Sequence, residues 1–128
     1  MVKDMNELQA LTGPVHRLAG STMGVIGCSK IGTAVALKAK GLGMRVIASD
    51  PMVFSGVLAT YGVELVDQDT LLRESDYISL HVPFMPSTKH MINEDAFKMM
   101  KKNCVIINTA RGGLIDEAAL IKALQNGD

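Results

Sequence analysis

A parallel α/β fold is what this sequence predicts, on three observations. From residue 23 onward, short apolar runs alternate with amphipathic stretches. The runs are nearly continuous and rich in β-branched residues, as in strands buried on both faces. Glycines and short capping side chains stand at the junctions, where helices start and stop. Strand–helix alternation in this order implies a parallel sheet with right-handed crossovers.

Residues 1–17 form an N-terminal extension, in which Asn6 to Leu11 fit one or two helical turns before Gly13-Pro14 breaks them. The domain proper spans 18–128, enough chain to bury about two-thirds of its unfolded surface. Its first strand is Met23–Gly27. A helix follows with Ile31, Ala34, Val35 and Leu42 as its apolar face, Lys38 and Lys40 outward, and Gly41 and Gly43 closing it. Arg45–Ser49 is the second strand. Phe54, Val57, Leu58 and Tyr61 mark a second helical face, stopped at Gly62. Val63–Val66 is the third strand, and Asp69 or Thr70 caps a short helix through Glu74. After a fourth strand, Tyr77–Val82, Asn93 caps a helix through Phe97 and Met100. Cys104–Asn108 is the fifth strand. Asp116 caps the last helix, whose apolar face is Leu120, Ile121 and Leu124 and which ends at Gly127.

Composition excludes several classes of function. The 13 basic and 13 acidic side chains cancel, which argues against nucleic acid, whose binding draws on clustered Lys and Arg. Lys101-Lys102 is the longest basic cluster and reads as a helix end. No apolar run reaches the ~18 residues of a membrane span. Met1 to Glu7 lack the basic-then-apolar order of a signal peptide, so a cytoplasmic location is expected. Cys28 and Cys104 lie at opposite ends of their strands and read as two reduced thiols. Cys28 also lies near a helix start, where a thiol pKa can be lowered, although an inert small side chain is the simpler reading. No metal site is expected.

Between the first strand and its helix runs Gly24-Val25-Ile26-Gly27-Cys28-Ser29-Lys30-Ile31-Gly32. In the dinucleotide fingerprint G-x-G-x-x-G, the first glycine makes the turn and the second lets a pyrophosphate approach the backbone. The third lets helix and strand pack closely. Gly27 and Gly32 hold the first and third places here, and Ser29 holds the second. The serine β-carbon stands where phosphate oxygens approach, which weakens the expected binding, while its hydroxyl offers a hydrogen bond in return. The helix N-terminus keeps its free N–H groups for the anion. Asp50-Pro51 ends the second strand 18 residues past Gly32. A carboxylate there accepts both hydroxyls of an adenosine ribose and repels a 2′-phosphate, favouring NAD over NADP. The plainer reading of Asp50 is a turn residue before proline. Together these features predict a Rossmann-like, doubly wound parallel sheet of about five strands with flanking helices.

From about Leu18 to Asp128 the chain resembles the NAD-binding domain of the D-isomer-specific 2-hydroxyacid dehydrogenases, with a phosphoglycerate-dehydrogenase-like character. The blocks that carry the resemblance are Gly24-Val25-Ile26-Gly27 with Gly32, Asp50-Pro51, His81-Val82-Pro83 with Pro86-Ser87-Thr88, and Asn108 through Glu117. They stand in the family's order. The resemblance implies that Lys30 and Ile31 lie under the pyrophosphate and Asp50 on the ribose. It further implies that Val82 and Pro83 border the adenosine side and that Thr109, Ala110 and Arg111 border the nicotinamide. Arg111 aligns with the family's catalytic arginine, whose guanidinium is a fixed positive fork for the carboxylate of a 2-oxo acid.

The resemblance also implies what residues 1–128 do not contain. Family members insert the NAD domain within a substrate-binding domain. Their catalytic histidine, its paired glutamate and the last strand of the sheet fall later in sequence, so a truncated chain without that strand and domain is expected. Glu117 does not replace the glutamate, because in a first helical turn it serves the helix dipole. His81 ends the fourth strand and faces the crevice, so it is the one histidine placed to act as an acid. The resemblance gives it no such role, and a crevice-wall residue is the plainer reading. His16 and His90 read as surface or loop residues.

Three functions follow as expectations. The first is a dehydrogenase NAD domain that binds NAD weakly and transfers hydride inefficiently alone, since an absent acid/base forfeits ~10²–10⁴-fold in rate. The second is a minimal dehydrogenase that uses Arg111 and His81, or parts from a partner subunit, on a small 2-oxo or 2-hydroxy acid. The third is a non-catalytic dimerisation or regulatory module. The strand at 104–108 is a flat, hydrophobic sheet edge of the kind that invites pairing. A homodimer or larger assembly is therefore expected, unless the helix at 116–125 covers that edge.

Overall fold

The computed structural model describes residues 16–50 and 55–127, together with Asp4 and Met52, the side chains of residues 55–57 apart. Five strands, β1 (Thr22–Ile26), β2 (Arg45–Ser49), β3 (Glu64–Leu65), β4 (Tyr77–Leu80) and β5 (Val105–Asn108), alternate with five helices. These are α1 (Lys30–Gly41), α2 (Ser55–Thr60), α3 (Gln68–Glu74), α4 (Glu94–Met99) and α5 (Glu117–Asn126), with a 3-10 turn at Gly112–Leu114 before the last. Every strand pairing is parallel, in the order β3-β2-β1-β4-β5. This is the expected Rossmann-like sheet.

The two-residue period of the strands builds two cores, one on each face. Val25, Val46 and Ala48 pack on one side with Ala36 and Ala39 of α1. Ile26, Ile47, Ile78 and Leu80 pack on the other with Leu71 and Leu72 of α3 and Phe97 of α4. Burial on both faces is why the runs lack the polar alternation of a half-exposed sheet.

The helices bury different faces from those expected. α1 buries Gly32, Ala36 and Ala39, with Val35 partly covered, whereas Ile31 (65% exposed) and Leu42 (57% exposed) point outward. α5 buries Ala119 and Ala123 and partly covers Leu120, leaving Ile121 and Leu124 exposed. Small side chains let a helix backbone approach its neighbour closely, so the contact stripe here follows size rather than hydropathy. Asp67 caps α3 in place of Asp69 or Thr70, its carboxylate accepting the Thr70 N–H at 2.7 Å. Asp67 has the extended backbone that a cap requires (φ −67°, ψ 161°), while the other two residues lie inside the helix.

Asn93 and Asp116 cap α4 and α5 as expected, and Gly127 closes α5 at φ 73°. Leu58 is buried as expected, but Tyr61 is exposed. The side chains of Phe54 and Val57 and the turns at 6–11 lie outside the described residues. The first strand starts and stops one residue early, the third is only two residues long, the fourth stops at Leu80 and the fifth starts at Val105.

Charges gather where the strands begin. Arg45 bridges Glu74 at 2.6 Å and Glu64 at 3.2 Å. Asp76 accepts from Lys101 and from the Thr22 N–H, each at 2.8 Å, and these bonds hold its carboxyl below the usual carboxylate range. β5 lies at the sheet edge with Ile106 inward, while Val105 and Ile107 are exposed. Among the described residues, no helix is long and apolar enough to cross a membrane, and no group of three or more His, Cys, Asp or Glu is placed to hold a metal.

Leu71→Ala, at a fully buried position, should cost about 2–5 kcal/mol in urea unfolding. Ile121→Ala should stay within about 0.5 kcal/mol of the parent, as an exposed side chain does.

Candidate functional site

The register of the sheet assembles the site. Ile26 stands opposite both Ser49 and Leu80, and Leu80 stands opposite Asn108. The next residues, Gly27, Asp50, His81 and Thr109, therefore leave the carboxyl edge at one level. The chain from β1 continues into α1 on one face, while β4 leads to α4 on the other. Between them opens the crevice in which ligands of such sheets bind.

Gly27 turns the chain at φ +91°, and a β-carbon there would come within 2.8 Å of the His81 and Val82 backbone. A β-carbon on Gly32 would collide with the Gly27 carbonyl. Only glycines let α1 start so close to the end of β4. Ser29, at the second place of the fingerprint, is the exposed N-cap of α1, and its side chain makes no capping bond. The first helical hydrogen bond is Thr33 N–H to the Ser29 carbonyl at 2.9 Å. It leaves the first-turn N–H groups of Lys30, Ile31 and Gly32 for a ligand.

Asp50 forms the turn that its plainer reading expects. Its Oδ1 accepts the Met52 N–H at 2.8 Å, a turn closed just past the proline. Its Oδ2 accepts the Cys28 N–H at 2.6 Å, which ties the end of β2 to the glycine turn. Nothing in the sequence pairs those two residues, because the contact comes from β1–β2 register.

Ser29, Ile31, His81, Val82, Pro83, Thr109, Ala110 and Arg111 line one cavity of about 740 Å³. Phe84 lines it too, and sequence reasoning missed this residue. Its ring lies against Gly113, where a β-carbon would clash with it. An aromatic directly after His81-Val82-Pro83 is the signal that could have marked it. Lys30 is exposed and does not line the cavity.

Among the described residues, the cavity wall carries no carboxylate. Arg111 is exposed and, among the described residues, has no ion-pair partner. Its Nη1 donates to the Ala110 carbonyl at 2.8 Å. His81 reaches the buried Ser79, with Nε2 to Oγ at 2.8 Å, and burial holds its pKa below the ordinary histidine value. The neutral ring is thereby favoured. His90 is exposed, as expected, with φ 52°, and its N–H donates to the Gly113 carbonyl at 2.9 Å.

These residues fit a dinucleotide. A helix start with free N–H groups and a guanidinium favour phosphate and carboxylate oxygens, and Asp50 offers acceptors at the end of β2. The Cys28 thiol shifts opposite to the lowering that a helix start can bring, in keeping with its simpler reading as an inert side chain. Burial, reinforced by the charge of Asp50, pushes its thiol up to about 11, and burial does the same at Cys104. Both thiols are free. Labelling with a thiol reagent should therefore be slow at pH 8 and rise toward a midpoint near 11. In urea, where both thiols are solvated, the midpoint should fall toward the ordinary thiol value of 9.0.

Comparison with known proteins agrees with this geometry. The model of the D-isomer specific 2-hydroxyacid dehydrogenase NAD binding domain matches residues 3–128. Glycerate dehydrogenase of Methylorubrum extorquens is 47% identical over 114 residues, 89% of this chain and 34% of that protein. The apo D-lactate dehydrogenase of Escherichia coli has a TM-score of 0.86 at 48% identity, over 91% of this chain and 37% of that one. D-Lactate dehydrogenase from Aquifex aeolicus, complexed with NAD and lactic acid, has a TM-score of 0.85 at 39% identity, over 95% and 38%. The chain thus spans little more than a third of the length of these relatives. With the glycine turn, the level strand ends and the Arg111 block all in the family's order, the chain belongs to the D-isomer-specific 2-hydroxyacid dehydrogenase family and carries its NAD-binding domain.

Proposed function

We propose that this domain holds NAD along the carboxyl edge of its sheet and presents Arg111 to the carboxylate of a small 2-oxo or 2-hydroxy acid. One observation carries the reading: the start of α1 at Ser29 and Ile31, the end of β4 and the Arg111 guanidinium meet in a single cavity that, among the described residues, has no carboxylate in its wall. The substrate class is supported by the glycerate and lactate dehydrogenases to which the chain is similar.

In this reading the α1 start at Ser29, Lys30 and Ile31 binds the pyrophosphate, and Gly27 and Gly32 keep the turn thin enough to reach it. Asp50 accepts the ribose hydroxyls and repels a 2′-phosphate, so NAD is preferred over NADP. Val82 and Pro83 border the adenosine side, and Thr109, Ala110 and Arg111 the nicotinamide. The bound cofactor supplies the hydride exchanged with the substrate. Arg111 trades the neutral Ala110 carbonyl for the substrate carboxylate, a stronger acceptor for a guanidinium.

Residues 1–128 by themselves are proposed to bind NAD weakly, because Ser29 puts a β-carbon where the fingerprint has none. They are also proposed to transfer hydride inefficiently. His81 is tied through Nε2 to Ser79 and favours its neutral form, which makes it a poor proton donor. A second copy is proposed to pair along β5, where Val105 and Ile107 are exposed on an open edge.

NADH titration followed by fluorescence should show saturable binding that Asp50→Ala weakens about tenfold, the scale of one charged hydrogen bond. The same variant should narrow the preference over NADPH, and Ser29→Gly should tighten binding. A folded wild-type chain that ignores NADH would overturn the proposal. NADH oxidation with glyoxylate, hydroxypyruvate or pyruvate should stay near background. Turnover abolished by Arg111→Ala would instead establish a minimal dehydrogenase. Light scattering during size-exclusion chromatography should give twice the 13.7 kDa chain mass, and a monomer at every concentration would exclude the β5 pairing.

A further inference from the structure

We infer that Asn108 is a positioning residue for Arg111, an inference that rests on reading Arg111 as the carboxylate anchor. Asn108 is the last residue of β5 and half-buried. Its side-chain amide grips the following turn from both sides. Oδ1 accepts the Ala110 N–H at 3.0 Å, and Nδ2 donates to the Arg111 carbonyl at 2.9 Å. The orientation of the amide is fixed by its partners, since an N–H needs the oxygen and a carbonyl needs the nitrogen.

The two bonds bracket the peptide between Ala110 and Arg111. With the N–H before it and the carbonyl after it both held, that peptide cannot rotate freely. Its own carbonyl is the one that receives Arg111 Nη1 at 2.8 Å. Asn108 thus sets the resting place of the guanidinium at the mouth of the crevice. It also keeps the Ala110 carbonyl from following when Arg111 moves to a carboxylate. Such placement matters because a misdirected binding group loses much of its advantage even when its chemistry is intact.

No other side chain of this length offers both an acceptor and a donor. Aspartate is isosteric and still closes the turn on the Ala110 N–H, but it cannot donate to the Arg111 carbonyl and adds a charge that draws the guanidinium back. Serine keeps an acceptor on a shorter arm. Alanine keeps neither.

The test uses oxamate, an unreactive analogue of a 2-oxo acid, titrated into the NADH-loaded full chain. Asn108→Asp and Asn108→Ala should each weaken oxamate about tenfold while leaving NADH affinity within about twofold and thermal unfolding cooperative. Asn108→Ser replaces Asn108→Asp if the latter does not fold. In ¹⁵N spectra of the ligand-free chain, the Arg111 side-chain signals should be dispersed in the wild type and collapse to the solvent-exchanging position in both variants. A merely structural asparagine would not move the oxamate-to-NADH ratio. Unchanged oxamate affinity and unchanged Arg111 signals in folded Asn108 variants, alongside a defective Arg111→Ala, would overturn the positioning role alone. No oxamate binding by the wild type, or full binding by Arg111→Ala, would overturn the carboxylate anchor and this inference with it.

Discussion

Parallel hydrogen bonding of β1 to β2 on one side and β4 on the other holds Ile26, Ser49 and Leu80 at a single level, and the site is a consequence of that register. A one-residue slip of β4 would send Ile78 and Leu80 to the α1 face and turn Ser79 into the opposite core, because side chains alternate. It would also lift the His81 backbone away from Gly27, where the two are packed too tightly for a β-carbon between them. None of the aliphatic residues that fix the register lines the cavity. They determine nonetheless which backbone atoms the glycine turn meets.

Much of this was legible in the chain because the informative residues are constrained by local chemistry. Gly27 and Gly32 announce a close approach, Asn93 and Asp116 announce helix starts, and Asn108 through Glu117 is a long contiguous block. The helix faces were misread at Ile31, Leu42, Ile121 and Leu124, which are apolar yet exposed. Periodicity ranks positions by hydropathy, whereas close packing selected the glycine and alanines between them. The cap of α3 was placed wrongly, at Asp69 or Thr70, for another reason. Asp67, Asp69 and Thr70 can all cap, and only the backbone conformation decides among them. The contact of Asp50 with Cys28 arises from strand register, whereas that of Ser79 with His81 follows the two-residue period of β4. Only the second leaves a pattern in spacing.

The two ends of the sheet are built differently. Where strands begin, Arg45, Glu64, Glu74, Asp76 and Lys101 satisfy one another. Each exposed pair contributes only about 0–1 kcal/mol, but together they leave little unpaired charge at that end. Where strands end, the opposite holds: the α1 start and Arg111 keep hydrogen-bonding capacity that the fold does not use up. Rising ionic strength acts on the first end through stability and on the second through affinity, since exposed charges are screened in both. The fold thus separates the charges that hold it together from those it offers outward.

Asp50 already holds two backbone N–H groups, from Cys28 and Met52, before any ligand arrives. Each carboxylate oxygen has a further lone pair, so incoming hydroxyls add to these bonds and need not break them. The shape of the turn is therefore a property of the free protein. A ligand held there as proposed would meet acceptors already oriented by those two bonds. The acceptors at the end of β2 are thus held in place by the protein's own backbone.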